Sequence, residues 1–167
     1  TAADGFPRAA TLSLPETATP PTRVVVVNAG AGIPARYYDR FAAWLADRGL
    51  PTLTYDYRGI GRSRPARLRG FEATVEMWGS KDCAAMLDAM VARFPSARLA
   101  VLGHSIGGFV TGLAPGGERV DRLVLVGTHT GYPWVDEMIS CASKWPNVYL
   151  SISAWLPRYF HPSLAVF

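Results

Sequence analysis

Residues 103–107 read Gly-His-Ser-Ile-Gly, a lone serine with a glycine two residues away on each side. Those residue types at that spacing suit a reactive hydroxyl. A serine on a sharp strand-to-helix turn holds a strained backbone, so its neighbours at i−2 and i+2 must be small to avoid collision. The turn lifts the Ser105 hydroxyl clear of the sheet. It also aims the Ile106 N–H at the point where a carbonyl oxygen would gain negative charge. The apolar "LAVL" before the motif and the helical pattern after it supply the strand and helix that such a turn needs. The plainer alternative is a glycine-rich turn that only packs a helix against a sheet.

A serine hydroxyl is a poor nucleophile without a base to take its proton. The chain has three histidines. His104 lies inside the turn and is expected to point away from the reaction centre. His161 sits in a stretch with no strand before it. His129 follows the strand expected beside the nucleophile strand, at the same end of the sheet, and is the candidate base. A capping or loop histidine is the competing reading. Of the carboxylates, Asp136 and Glu137 are nearest but fall in a predicted helix, Asp121 is at the wrong end of its strand, and Asp56 has the placement of a structural aspartate. A second oxyanion donor is expected from "NAGAG", with Ala31 in that role; an ordinary tight turn would read the same way. No metal or cofactor is expected.

The elements that must position these residues follow from hydrophobic periodicity. Residues 10–15 alternate weakly, as an edge strand does. "RVVVV" suits a strand buried on both faces of a parallel sheet. Residues 34–49 carry an amphipathic helix pattern ending at Gly49, and "LPTLTYDY" is another strand. Residues 74–94 form the longest helical pattern, stopped by Pro95. "ARLAVLGHS" and "VDRLVLVG" are strands around the short helix "IGGFVTGLA", then "PWVDEMISCASKW" is helical and "NVYLSIS" a strand. Strands alternating with helices imply a three-layer α/β domain with a mostly parallel sheet and helices on both faces. Ligands collect at the carboxyl ends of the strands in such sheets. Ser105, the Asn28–Gly32 loop, an arginine-rich loop and His129 all fall there.

On these motifs, residues of about 10–127 resemble the N-terminal part of an α/β-hydrolase, in truncated form. "YDYRGIGRS" at 55–63 is similar to the motif that family carries after its next strand, and "GHSIGG" to its nucleophile turn. The resemblance implies ester, amide or lactone hydrolysis through an acyl-serine, with Ser105 as nucleophile and Ile106 as oxyanion donor. The two other triad members do not carry over. Residues of about 128–167, with "HTGYPW" and "NVYLSIS", are instead similar to a segment of metal-dependent amidohydrolases, with His129 matching an active-site histidine there. A chimera or truncation is therefore expected, in one domain with a core at 1–127 and a foreign-looking segment at 128–167.

The chain has 167 residues, 49% hydrophobic and 18% charged, which fits a globular domain. No apolar run approaches the roughly 20 residues that cross a bilayer, so no membrane partner is expected. The first residues lack a signal-peptide pattern, and the start at Thr1 suggests trimming. Two widely spaced cysteines suit a reducing, cytoplasmic setting. Net charge is +4, nearly all of the positive charge is arginine, and Arg58, Arg62, Arg64, Arg67 and Arg69 crowd one loop. That cluster could hold an anion, but no nucleic-acid motif accompanies it and no such partner is expected. Trp155, Leu156, Tyr159, Phe160, Leu164, Val166 and Phe167 would leave apolar surface uncovered, so a homo-oligomer is expected. The function these observations favour is a weak serine esterase acting on small-molecule esters. The alternatives are a catalytically inert chimeric or truncated scaffold and an anion-binding module.

Overall fold

The computed structural model describes residues 4–153, 158 and 161–165. Six strands form one sheet: β1 (Ala10–Ser13), β2 (Arg23–Asn28), β3 (Thr52–Tyr55), β4 (Arg98–His104), β5 (Val120–Gly127) and β6 (Val148–Leu150). Their order is β1-β3-β2-β4-β5-β6. Only β1 runs antiparallel, against β3; every other neighbouring pair is parallel. The sheet is thus mostly parallel, as the periodicity predicts.

The helices are α1 (Asp39–Ala46), α2 (Val75–Met77), α3 (Ala84–Arg93), α4 (Ile106–Gly112) and α5 (Val135–Lys144). Helix α1 packs on β1 and β3, while α3 and α4 pack on β2 and β4. The four valines of β2 are buried on both faces, and Val26 has no exposure at all. Burial at that level contributes about 1.5–3 kcal/mol per large aliphatic side chain.

Residues 74–94 are not one regular helix. A π-turn over Trp78–Cys83 separates α2 from α3. Its wide backbone brings Gly79 against α4, where a Cβ would strike the Leu113 side chain. The predicted last strand also shortens, from "NVYLSIS" to Val148–Leu150. Of the apolar tail residues expected to be uncovered, only Leu164 lies among the described residues, and it is half-buried.

Chain order places β3 on one side of β2 and β4 on the other. The connection from β2 runs to β3 on one side, and the connection from β3 crosses back over β2 to β4 on the other, so the winding reverses between β2 and β4, where sheets of this kind bind ligands at the carboxyl ends of their strands. Asn28 ends β2 and pairs in register with Gly103 of β4. The two loops of greatest chemical interest begin at that point.

Candidate active site

Ser105 is exposed and joins β4 to α4, with φ 56° and ψ −123°. This is the left-handed side of backbone space, costly for any residue with a side chain. Its N–H donates to the Val126 carbonyl at 2.9 Å, and its carbonyl accepts from Gly108 N–H at 3.1 Å. The turn is thus held by β5 on one side and by α4 on the other. The flanking glycines are required by contact. A Cβ at Gly103 would come within 2.7 Å of the Gly108 backbone, and one at Gly107 would strike the Asn28 carbonyl.

A buried polar network supports the turn from below. Asn28 is fully buried. Its Oδ1 accepts from Tyr55 Oη at 2.7 Å, and its Nδ2 donates to Thr111 Oγ1 at 2.8 Å and to Cys83 Sγ at 3.3 Å. Thr111 Oγ1 donates in turn to the Gly107 carbonyl at 2.9 Å. The end of β2 is thereby bonded to the first turn of α4. Burial pushes the Cys83 thiol above its ordinary pKa, so this cysteine is a core donor and acceptor rather than a thiolate.

The Ala29–Gly32 turn approaches from β2. The Gly30 N–H donates to Tyr38 Oη at 3.2 Å, and the Gly30 carbonyl accepts from Ile33 N–H at 3.1 Å. Among the described residues no acceptor takes the N–H of Ala31 or of Ile106. His104 turns toward this loop, its Nδ1 2.6 Å from Tyr38 Oη. Burial, and secondarily the charge of His129, hold His104 below the usual histidine pKa. Desolvation holds the Tyr38 phenol above its ordinary value. Tyr38 reads in the sequence only as an apolar position on a helix face; its link to His104 comes from tertiary packing.

His129 lies exposed just beyond β5, with φ 53°. Its N–H donates to Ser153 Oγ at 3.1 Å, and its Nδ1 is 3.0 Å from the Ser153 carbonyl oxygen. A carbonyl only accepts, so Nδ1 carries a proton and Nε2 is the basic nitrogen of the neutral ring. Among the described residues the Ser105 hydroxyl makes no hydrogen bond to a histidine or a carboxylate. Asp136 and Glu137 fall in the first turn of α5, and Asp136 lies 4.0 Å from His161. Asp121 pairs with Arg23 at the far end of the sheet. Asp56 is structural: it accepts the N–H groups of Ala35 at 2.7 Å and Arg62 at 2.9 Å.

An apolar cavity of about 480 Å³ opens beside Ser105, between α4 and α5. Phe109, Leu125, Met138, Trp145 and Val148 line it. The five arginines that crowd one loop do not all face the same way. Arg58 is 3% exposed, and its Nη2 lies 2.7 Å from Asp82 Oδ1 and 2.8 Å from Asp4 Oδ2. Arg8 Nε meets the same Asp82 oxygen at 2.6 Å. Arg58 is therefore part of the core, while Arg64, Arg67 and Arg69 remain on the surface. Among the described residues, no cluster of three histidine, cysteine or acidic side chains could hold a metal ion, and no helix is long and apolar enough to cross a membrane.

Solved structures share this architecture. A probable hydrolytic enzyme from Pseudomonas aeruginosa PAO1 is 28% identical, with a TM-score of 0.52 over 71% of this chain and 36% of that one. A thermostable carboxyl esterase from Bacillus coagulans is 20% identical, with a TM-score of 0.59 over 81% of this chain and 46% of that one. An esterase from Exiguobacterium antarcticum is 22% identical, with a TM-score of 0.56 over 86% and 53%. The chain therefore spans from about a third to about half the length of these relatives. A family profile described as serine aminopeptidase, S33, matches residues 19–166, so the one family takes in residues 128–166 together with the core before them. With the mostly parallel sheet, the turn at Ser105 and this match together, the chain belongs to the serine aminopeptidase S33 family of α/β-hydrolases.

Proposed function

We propose that this chain is an esterase-like serine hydrolase that acts on small esters through an acyl-serine, with weak turnover. The observation that carries the reading is the exposed Ser105 at φ 56°, set on the turn between β4 and α4 at the carboxyl end of its strand, with the Ile106 N–H next to it taking no acceptor among the described residues. In the proposed cycle Ser105 Oγ attacks the ester carbonyl carbon, and its proton passes to His129 Nε2. The oxyanion takes hydrogen bonds from Ile106 and Ala31 N–H groups. Collapse breaks the bond to the alkoxy oxygen, which leaves as the alcohol with the proton from His129. Water, deprotonated by the same nitrogen, then releases the acid and restores the serine. The Ser153 carbonyl plays the orienting part that a carboxylate plays in a full triad, and it stabilises a charged imidazolium less well. That difference is the physical reason for slow turnover. The apolar cavity beside Ser105 suits the hydrocarbon part of the ester.

One observation favours a second reading, an inert chimeric or truncated scaffold: among the hydrogen bonds between described residues, none joins the Ser105 hydroxyl to His129. A fluorophosphonate probe with the modified site mapped, beside p-nitrophenyl acetate turnover by wild type and Ser105→Ala, separates the two. Labelling at Ser105, with turnover lost in the variant, supports the esterase. An unlabelled serine supports the scaffold.

We also infer that the chain works in the cytoplasm as a homo-oligomer. Support for the assembly comes from large apolar side chains left exposed, among them Phe109 at 72%, Trp134 at 65% and Tyr149 at 55%. Light scattering at micromolar concentration tests the assembly; a monomer refutes it.

A further inference from the structure

We infer that Tyr38 is a positioning residue whose hydroxyl ties the Ala29–Gly32 turn to the nucleophile turn, and that the tie holds only while His104 is neutral. The inference deepens the esterase reading and rests on it for its catalytic meaning, but the tie itself is observable without turnover.

The proton inventory decides the direction of each bond. Gly30 N–H can only donate, so Tyr38 Oη accepts at 3.2 Å. That phenol carries one proton, and His104 Nδ1 stands 2.6 Å away. The Tyr38 proton therefore goes to Nδ1, and His104 is the Nε2–H tautomer. The reverse assignment would load a second donor onto an oxygen already accepting. It would also leave the phenolic proton with no acceptor among the described residues.

Both ends of the tie are close-packed. Tyr38 is 6% exposed. It belongs to a short 3₁₀ turn, Ala35–Tyr38, whose first N–H is bonded to the buried Asp56. A Cβ on Gly30 would come within 2.8 Å of Ile33 Cδ1 and 3.3 Å of His104 Nδ1, so the loop backbone rests on the imidazole. The titratable groups facing His104 are Tyr38, from the turn before α1, and His129, from beyond β5. Both favour the neutral ring: the first by donating to Nδ1, the second by adding positive charge when it protonates.

Protonation of His104 would place an N–H where Tyr38 now donates. The Tyr38 oxygen would then have to accept from both His104 and Gly30 while its own proton lost its acceptor, so the hydroxyl would turn to find one and the Gly30 bond would open. The Ala31 N–H, next along the turn, would lose its placement relative to Ser105.

The test reads the tie and the reactivity separately. In isotope-labelled protein, NMR gives the His104 tautomer and the hydrogen-exchange protection of the Gly30 amide as a function of pH. In wild type, Nδ1 should be the unprotonated acceptor at neutral pH, and Gly30 protection should fall as His104 titrates. In Tyr38→Phe, Gly30 protection should drop by roughly tenfold at neutral pH, the worth of one hydrogen bond, and should no longer follow His104. His104→Asn offers an acceptor at a similar position that does not titrate, so Gly30 should stay protected into the acid range. This variant also serves if Tyr38→Phe fails to fold. A protonated Nδ1 in neutral wild type, unchanged protection in Tyr38→Phe, or an acid loss that persists in His104→Asn each overturns the proposal. Ser105 left unlabelled by fluorophosphonate while Gly30 still tracks His104 defeats the esterase reading and leaves the tie standing. Labelling with Gly30 indifferent to His104 defeats the tie alone.

Discussion

Gly107 sits so close to Asn28 that a single methyl group on the glycine would collide with the Asn28 carbonyl and come within 3.0 Å of the Ala29 carbonyl. Both obstacles are backbone, at the end of the strand that carries the second loop of the site, so neither can swing aside. The close approach of β2 to α4 is thus a condition for the serine turn.

Gly107→Ala should destabilise the protein by about 1–3 kcal/mol, the usual cost of overpacking a rigid site. Urea unfolding measures it. Fluorophosphonate labelling of Ser105 should fall with it in protein that remains folded. A variant with wild-type stability would mean that the elbow relaxes freely.

Ser105→Gly should be more stable than Ser105→Ala. The φ of 56° and ψ of −123° at this position suit glycine alone, and holding another residue there costs about 1–3 kcal/mol. Glycine's extra chain entropy returns about 0.5–1 kcal/mol of that. A net gain of about 1 kcal/mol should appear as a higher Tm in calorimetry. Equal melting of the two variants would argue that the turn is unstrained.

Asp82→Ala should be far more damaging, by about 3–5 kcal/mol, because it strands buried positive charge. The Asp82 carboxylate has no solvent exposure and takes Arg8 Nε at 2.6 Å, Arg58 Nη2 at 2.7 Å and the Arg58 N–H at 2.8 Å. Chemical denaturation should show the loss, with Asp82→Asn intermediate because an amide oxygen still accepts. A loss under about 1 kcal/mol would place this cluster with solvent-screened pairs instead.

The strands were legible because buried parallel strands advertise themselves: four valines closed by glycines leave little else to read at residues 24–27. The Ser105 turn was legible because its glycines are steric requirements that a spacing rule captures. The π-turn at Trp78–Cys83 was not, since one extra residue in a helical turn barely alters a hydrophobic period. The burial of Arg58 was not legible, because sequence shows a run of like charges and hides Asp82, which is 24 residues away along the chain and 2.7 Å away in space. The link from Tyr38 to His104 likewise joins residues 66 apart. Local pattern reports which face a side chain takes; it does not report whose proton it will meet.

The buried carboxylate at position 82 also sews the molecule together across its connectivity. Arg8 precedes the edge strand β1, and the proline-rich stretch from 14 to 22 is all that carries the chain from there into β2. A cut within that stretch would sever the covalent link and leave the ladder to β3 and the Arg8 clasp in place. The two pieces should then travel as one particle, which makes this connection a natural seam for a split-fragment reporter or for rearranging the order of the chain.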